Sequence, residues 1–243
     1  MMVGKYSFAG RVVQIESLYE TVHKLCADYI SEAMPDFCVR ITQADIRSEE
    51  ERSAIQSMRE GKKWRTESEE YLETLAVYRK IAEKMVSFNT ILMHGSAIAV
   101  DGQGYLFTAK SGTGKSTHTR LWREMFEHRA IMINDDKPLL KITEEGVLVC
   151  GTPWDGKHRL SSNAEVPLKS ICILERGTEN EIYPIPPDQA IPRLLEQCYR
   201  PEDTAGMLHT LELLDCLSRN VKFYRLYCNM EPDAAHTAFY GMI

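Results

Sequence analysis

The sequence predicts an α/β protein, with several strands in one sheet and helices covering it. Three observations carry that expectation. Short apolar runs of strand character alternate with stretches of helical period along the 243 residues. Two pairs of those runs are joined by tight turns, Asp101-Gly102-Gln103-Gly104 and Glu144-Glu145-Gly146, and read as hairpins. A glycine-rich turn, Ser111-Gly112-Thr113-Gly114, stands between an apolar run and a run of helical period.

In chain order, residues 5 to 15 alternate loosely as a strand interrupted at Gly10. Residues 17 to 30 place Leu18, Val22, Leu25 and Tyr29 on one helical face. FCVRIT (37 to 42) is a second strand, and the charge-rich, aperiodic segment 45 to 70 reads as a surface excursion. Tyr71, Leu72, Leu75, Tyr78, Ile81 and Met85 form the buried stripe of a helix over 70 to 88. ILMHGSAIAV and YLFTAK are the strands of the first hairpin; a helix follows with Leu121, Trp122, Met125 and Phe126 on one face. AIMIN is a short strand, LLKIT and VLVCG form the second hairpin, KSICILE is a buried strand and EIYPI a weaker one. Helices over 187 to 199 and 202 to 219, the strand VKFYRLYC and a helix from about Asp233 complete the chain. The boundary falls near residue 90, giving a small α+β N-terminal region (1–89) and a larger core (90–243).

Composition excludes several functions. A net charge of −6 lacks the basic face that nucleic acid or a membrane surface requires. No apolar run is long enough to span a bilayer, and the N-terminus shows no secretory pattern. The seven cysteines include no C-x-x-C pair and read as free thiols of a cytoplasmic protein.

The turn fits the phosphate-loop frame G-x-x-x-x-G-K-[ST], with Ala109 in place of the first glycine. Ser111, Gly112, Thr113, Gly114, Lys115, Ser116 and Thr117 are the expected nucleotide-binding residues. Glycines permit the positive φ angles that aim successive N–H groups at an anion. The helix start adds its dipole, Lys115 a mobile charge, and Ser116 a hydroxyl suited to Mg²⁺. The plain alternative is a strand-to-helix turn that happens to be rich in glycine.

Asn134-Asp135-Asp136 follows about twenty residues later at a strand end, where open α/β sheets present ligand groups. Asp135 and Asp136 suit Mg²⁺, or one of them suits general-base work; otherwise NDDKP is an ordinary turn. His94 stands next to Gly95, which allows close approach of another group, although a strand histidine is usually a core residue. In GTPWDGKHRL, Arg159 first and Lys157 second are expected to steady a transferred phosphate, against a plain basic surface turn. Trp154 is expected either to stack on adenine or to plug the core, and Arg120 and His118 to face either nucleotide or solvent, a phosphate-side position being open to His118.

M-H-G-S-A, S-G-T-G-K-S-T and N-D-D, in this order and spacing, resemble the nucleotide core of the phosphoenolpyruvate carboxykinases and the HPr kinase/phosphorylase family. The resemblance covers about 50 residues, 93 to 140. It implies a mixed β-sheet P-loop core of the HPr kinase/PEP carboxykinase type, with ATP and Mg²⁺ bound. Carried over by motif, Lys115 and Ser116 bind phosphates and metal, Asp135 is metal ligand or base, and His94 sits at the reaction centre beside the metal. Asp136 is a further metal ligand. With G-T-P-W-D-G-K added, the pattern resembles the short HPr-kinase-like proteins of bacteria, some encoded beside modified-peptide biosynthesis genes. The chain shows neither an oxaloacetate-binding region nor the C-terminal HPr-binding signature.

The expected function is an ATP-dependent kinase acting on a serine-type hydroxyl of a small molecule or peptide. The alternative is a nucleotide-binding regulatory or scaffold protein with little turnover; a bare sensor needs neither the acidic pair nor the histidine. The expected partners are nucleotide and acceptor, not nucleic acid or membrane, and a homo-oligomer is compatible with this reading.

Overall fold

The computed structural model describes residues 1–59, 61, 63 and 66–243. They divide into two compact units, Met1–Lys84 and Met85–Ile243.

In the first unit, β1 (Met2–Phe8) and β2 (Arg11–Ser17) form an antiparallel hairpin. The run expected as one interrupted strand doubles back at Ala9 and Gly10, both at positive φ (50° and 74°). The helix expected over 17 to 30 shrinks to α1 (Thr21–Leu25) and a 3₁₀ turn at Ala27–Tyr29. The amides of Leu18 and Tyr19 are taken by the buried Glu73 carboxylate at 2.6 and 2.9 Å, which ends β2 and delays the helix. β3 (Phe37–Arg40) pairs parallel with β2.

The excursion expected from residue 45 is instead helical, α2 (Gln43–Arg59); residues 60, 62, 64 and 65 of that segment lie outside the described residues. Among its described residues, Ile46 and Glu49 are the buried side chains. The Glu49 carboxylate accepts Nε–H and Nη2–H of Arg79, at 2.7 and 2.5 Å, from α3 (Glu69–Val86). A helix anchored by so few buried groups leaves no apolar period to detect. In α3 the stripe is buried as expected at Leu72, Tyr78, Ile81 and Met85, but Tyr71 is exposed.

The second unit is built on one nine-stranded mixed sheet. In chain order it comprises β4 (Thr90–Leu92), β5 (Ser96–Val100), β6 (Gln103–Thr108), α4 (Lys115–Phe126), β7 (Ala130–Asn134), β8 (Leu139–Thr143), β9 (Gly146–Cys150), β10 (Glu165–Arg176), β11 (Glu181–Pro184), α5 (Pro187–Gln197), α6 (Thr204–Asn220), β12 (Lys222–Cys228) and α7 (Asp233–Met242). The strand order is β4-β8-β9-β10-β6-β5-β7, with β12 also beside β10 and β11 beside β12. The long β10 joins the two halves. Glu165–Pro167 pair antiparallel with β9; past an irregularity at Leu168/Ser170 the strand runs parallel between β6 and β12.

Alternation along the strands supplies a core on each face. Leu106, Ile171, Ile173 and Phe223 face Leu194 of α5 and Leu213, Leu214 and Leu217 of α6. Tyr105, Phe107, Cys172 and Tyr224 face Trp122 and Phe126 of α4 and Ala235 and Ala238 of α7. Both hairpins expected from the sequence are present, Ser96↔Phe107 to Val100↔Gln103 and Leu139↔Cys150 to Thr143↔Gly146. No helix among the described residues is long and apolar enough to cross a membrane.

The run 91 to 100, expected as one strand, is two. β4 pairs with β8, whereas β5 pairs with β6 and β7, and Met93-His94-Gly95 links them. Gly95 makes that passage sterically possible: a Cβ there would lie 2.7 Å from Leu106 Cδ1 and 3.0 Å from the Phe107 oxygen. The backbone amides of the link are satisfied elsewhere. Met93 donates to Pro138 O (3.1 Å), His94 to Gln197 O (2.7 Å) and Gly95 to Asp136 O (2.9 Å).

Candidate functional site

β6 and β10 are parallel, and β7 runs the same way, being antiparallel to β5 as β5 is to β6. Their C-terminal ends, Thr108, Arg176 and Asn134, therefore emerge along one edge of the sheet. That is the edge where open α/β sheets gather ligand groups.

Beyond β6 the chain turns through Ser111 to Gly114 into α4. Gly112 and Gly114 take positive φ (79° and 125°), and nothing lies within 4 Å of a Cβ placed on either. The turn is thus open on its glycine side. Its shape is held by Thr113, whose N–H and hydroxyl both reach the Lys110 oxygen (3.2 and 2.9 Å), and by Arg176 Nη2 donating to the Gly112 oxygen at 2.6 Å. The first α4 bond runs from His118 N to Gly114 O at 2.9 Å. The amides of Lys115, Ser116 and Thr117 consequently lack helical acceptors and are available to an anion.

Lys115 is buried, 8% exposed, with Nζ donating to the Ala109 oxygen at 3.0 Å. Burial pushes its ammonium below the ordinary lysine range, while Asp136 and Asp135 pull the other way. Ser116 is exposed at the start of the helix.

Asn134 shapes the acidic turn. Its Oδ1 accepts the Asp136 and Lys137 amides (2.8 and 2.6 Å), and its Nδ2 donates to Thr152 O and Oγ1 (2.9 and 3.0 Å). Asp135, 5% exposed, accepts the Ser96 hydroxyl on Oδ1 at 2.6 Å. Ser96 lies 2.8 Å from Thr119 Oγ1, which lies 3.3 Å from the Lys115 oxygen. Three contacts therefore connect the acidic segment to the first turn of α4.

His94 is half-buried. Its Nδ1 meets Gln197 Oε1 at 3.0 Å and its Nε2 faces Asp136 Oδ1 at 3.5 Å. Burial pushes its pKa down, the nearby Lys115 charge adds to this, and Asp136 opposes it. The ring is neutral near pH 7, one nitrogen towards α5 and the other towards the acidic pair.

A cavity of about 330 Å³ opens beside this cluster, between Ala109, Lys110 and Thr113 on one side and Arg176, Arg193 and Gln197 on the other. Gln197 thus lines the cavity and touches His94. Arg193 is turned towards Glu175 at 3.2 Å.

The basic loop is less committed. Lys157 and Arg159 are exposed, and Arg159 sits at φ 49° with its N–H on the Gly156 oxygen (3.2 Å). The loop meets the site through Gly156, where a Cβ would lie 2.8 Å from Asp135 Oδ2. Trp154 is buried in the protein.

His118 is not on the phosphate side. It is 2% exposed, edge-on to Phe107, and its Nε2 accepts the Trp122 indole N–H at 3.1 Å. Desolvation pushes its pKa down to about 3. Arg120 is exposed and paired with Glu124.

Ser96, Thr119, Gln197, Arg176 and Gly156 escaped the sequence reading as site residues. A hydroxyl inside an apolar strand gives no sign of its partner, and Gln197 lies 103 residues from His94. Among the described residues no three His, Cys, Asp or Glu side chains form a metal cluster. The donors that do converge are carboxylate oxygens, the type a hard cation such as Mg²⁺ takes, and one imidazole, which is not of that type.

The fold and site define a mixed α/β protein with an open glycine turn and an acidic pair on one sheet edge. The chain belongs to the family described as SynChlorMet cassette protein ScmC, whose family model matches residues 60–230. A comparison with curated proteins finds no match. Among solved structures, the HPr(Ser) kinase/phosphatase from Coxiella burnetii is similar at 12% identity, over 50% of this chain and 87% of that one, with a TM-score of 0.29.

Proposed function

We propose that the protein is an ATP-dependent kinase that phosphorylates a hydroxyl of a small molecule or peptide. The observation that carries this is the convergence of Lys115, His94, Asp135 and Asp136 on one sheet edge, beside an open glycine turn. The sequence resemblance to P-loop kinases of the HPr kinase/PEP carboxykinase type supports the same reading.

In this reading the turn 109–117 holds the triphosphate through its amides and Lys115. Ser116, Asp136 and His94 are the residues that would hold Mg²⁺, which when bound neutralises charge on the phosphoryl oxygens, and Asp135 is kept for the proton. The acceptor enters the cavity beside Gln197. Its hydroxyl oxygen bonds to the γ-phosphorus, the bond to the β,γ-bridging oxygen breaks, and ADP leaves. The hydroxyl proton passes to Asp135 Oδ2, the oxygen not occupied by Ser96. Arg159 and Lys157, on their exposed loop, steady the transferred phosphate.

The test is label transfer from γ-labelled ATP to a panel of hydroxylated metabolites and serine-containing peptides. Acceptor-dependent transfer that is lost in Asp135→Asn supports a kinase. Normal ATP affinity without transfer to any acceptor, and without hydrolysis, favours a nucleotide sensor.

A further inference from the structure

Ser96 and Thr119 lie outside the nucleotide and acceptor contacts, yet both are buried, at 0% and 1% exposure, in an apolar strand and a helix. Two buried hydroxyls are costly unless their hydrogen bonds are made. Here they are made to each other and to Asp135, and the direction is fixed. A hydroxyl has one proton, and a carboxylate only accepts. Ser96 must spend its proton on Asp135 Oδ1 (2.6 Å). The 2.8 Å contact between Ser96 and Thr119 then requires Thr119 to be the donor. The Lys115 and Ser116 carbonyls, at 3.3 and 3.4 Å, are the weaker alternatives for the same Thr119 proton. The second oxygen of Asp135 faces Gly156, the one residue type that leaves it uncrowded.

We propose that the ordered chain Thr119→Ser96→Asp135 is a positioning device: it ties the carboxylate to the first turns of α4 and leaves Oδ2 as the oxygen that meets the acceptor. Ser96 is the positioning residue and Thr119 orients it. This rests on the kinase reading of the same site. Coupling Asp135 to the helix that begins at Lys115 fixes the base relative to the phosphate, where a misplacement of about 1 Å costs on the order of 10²-fold in rate.

The experiment measures ATP affinity by calorimetry and phosphate release from γ-labelled ATP, with water as acceptor, in the full chain. Ser96→Ala and Thr119→Val should lower kcat by about 10- to 100-fold, Ser96→Ala more, with ATP affinity within about twofold of wild type. Ser170→Ala is the control for a lost buried hydroxyl, since Ser170 in the same sheet contacts Met242 and not the site; it should leave kcat unchanged. In the Asp135→Asn background Ser96→Ala should have no further effect on kcat, because the two act as one unit. An active wild type with unchanged kcat in Ser96→Ala overturns the positioning role alone, as does a loss that multiplies with Asp135→Asn or is matched by Ser170→Ala. A wild type that binds ATP, releases no phosphate to water and transfers none to any acceptor of the panel overturns the kinase reading and this proposal together.

Discussion

His118 offers a quantitative test of how the helix after the glycine turn is packed. Desolvation of the ring between Phe107 and Trp122 pushes its pKa from the ordinary 6.5 down to about 3. The unfolded chain therefore binds a proton that the folded chain refuses, and stability falls as pH drops below 6.5. One proton corresponds to about 1.4 kcal/mol per pH unit, so His118 alone removes about 2 kcal/mol by pH 5 and about 3 kcal/mol by pH 4. His118→Leu abolishes that slope. It also strips the acceptor from the Trp122 indole N–H, at a cost of about 1–3 kcal/mol at pH 7. Urea unfolding followed by tryptophan fluorescence at pH 7, 6, 5 and 4 should show the wild type more stable at pH 7 and the two stabilities crossing near pH 5. His23 and His94 titrate in both proteins and cancel in the difference. Parallel stability–pH lines, or a His118 ring that titrates near 6.5 by NMR, would falsify the buried assignment.

Three further outcomes follow from single contacts. Gly156→Ala places a methyl 2.8 Å from Asp135 Oδ2 and should cut turnover by about 10-fold or more with little change in ATP affinity, measured by phosphate release; full activity would show that the loop does not press on the carboxylate. Gly151→Ala drives a Cβ into the backbone oxygen of Ser162 and should lower the melting temperature measurably in differential scanning fluorimetry, an unshifted melt being the contrary result. Asp203 caps α6 by accepting the Gly206 amide at 2.8 Å, so Asp203→Ala should cost about 1 kcal/mol in urea unfolding, and no loss would mean that the cap carries no energy.

Much of the second unit was legible because its signals are local. The β5–β6 and β8–β9 hairpins are two alternating strands around a Gly-containing turn, and α4 follows its turn with Leu121, Trp122 and Phe126 on the buried face. His118 belongs to that same face, one turn before Trp122, so the helical period alone places it in the core; the motif beside it pointed the other way. Features set by distant partners left no local trace. The break at Met93–Gly95 depends on amide acceptors at Pro138, Asp136 and Gln197. The α2 helix depends on Arg79 meeting Glu49. At the candidate site, Lys115, Asp135, Asp136 and His94 stand out in the sequence by their spacing, whereas Arg176 and the neutral groups that contact the site do not. Ser96 meets Asp135 and Gln197 meets His94 across long sequence separations, which composition does not encode.

The measurement closest to the central claim is a calorimetric titration of Mg·ATP into wild type and Lys115→Ala, each first shown to be folded by circular dichroism. Removing a buried ammonium that faces Asp135 and Asp136 at the mouth of the turn should weaken ATP binding by about 10- to 100-fold, the loss of one charge-assisted hydrogen bond, while the fold persists. Equal affinity in the two proteins would place the triphosphate elsewhere and contradict the account.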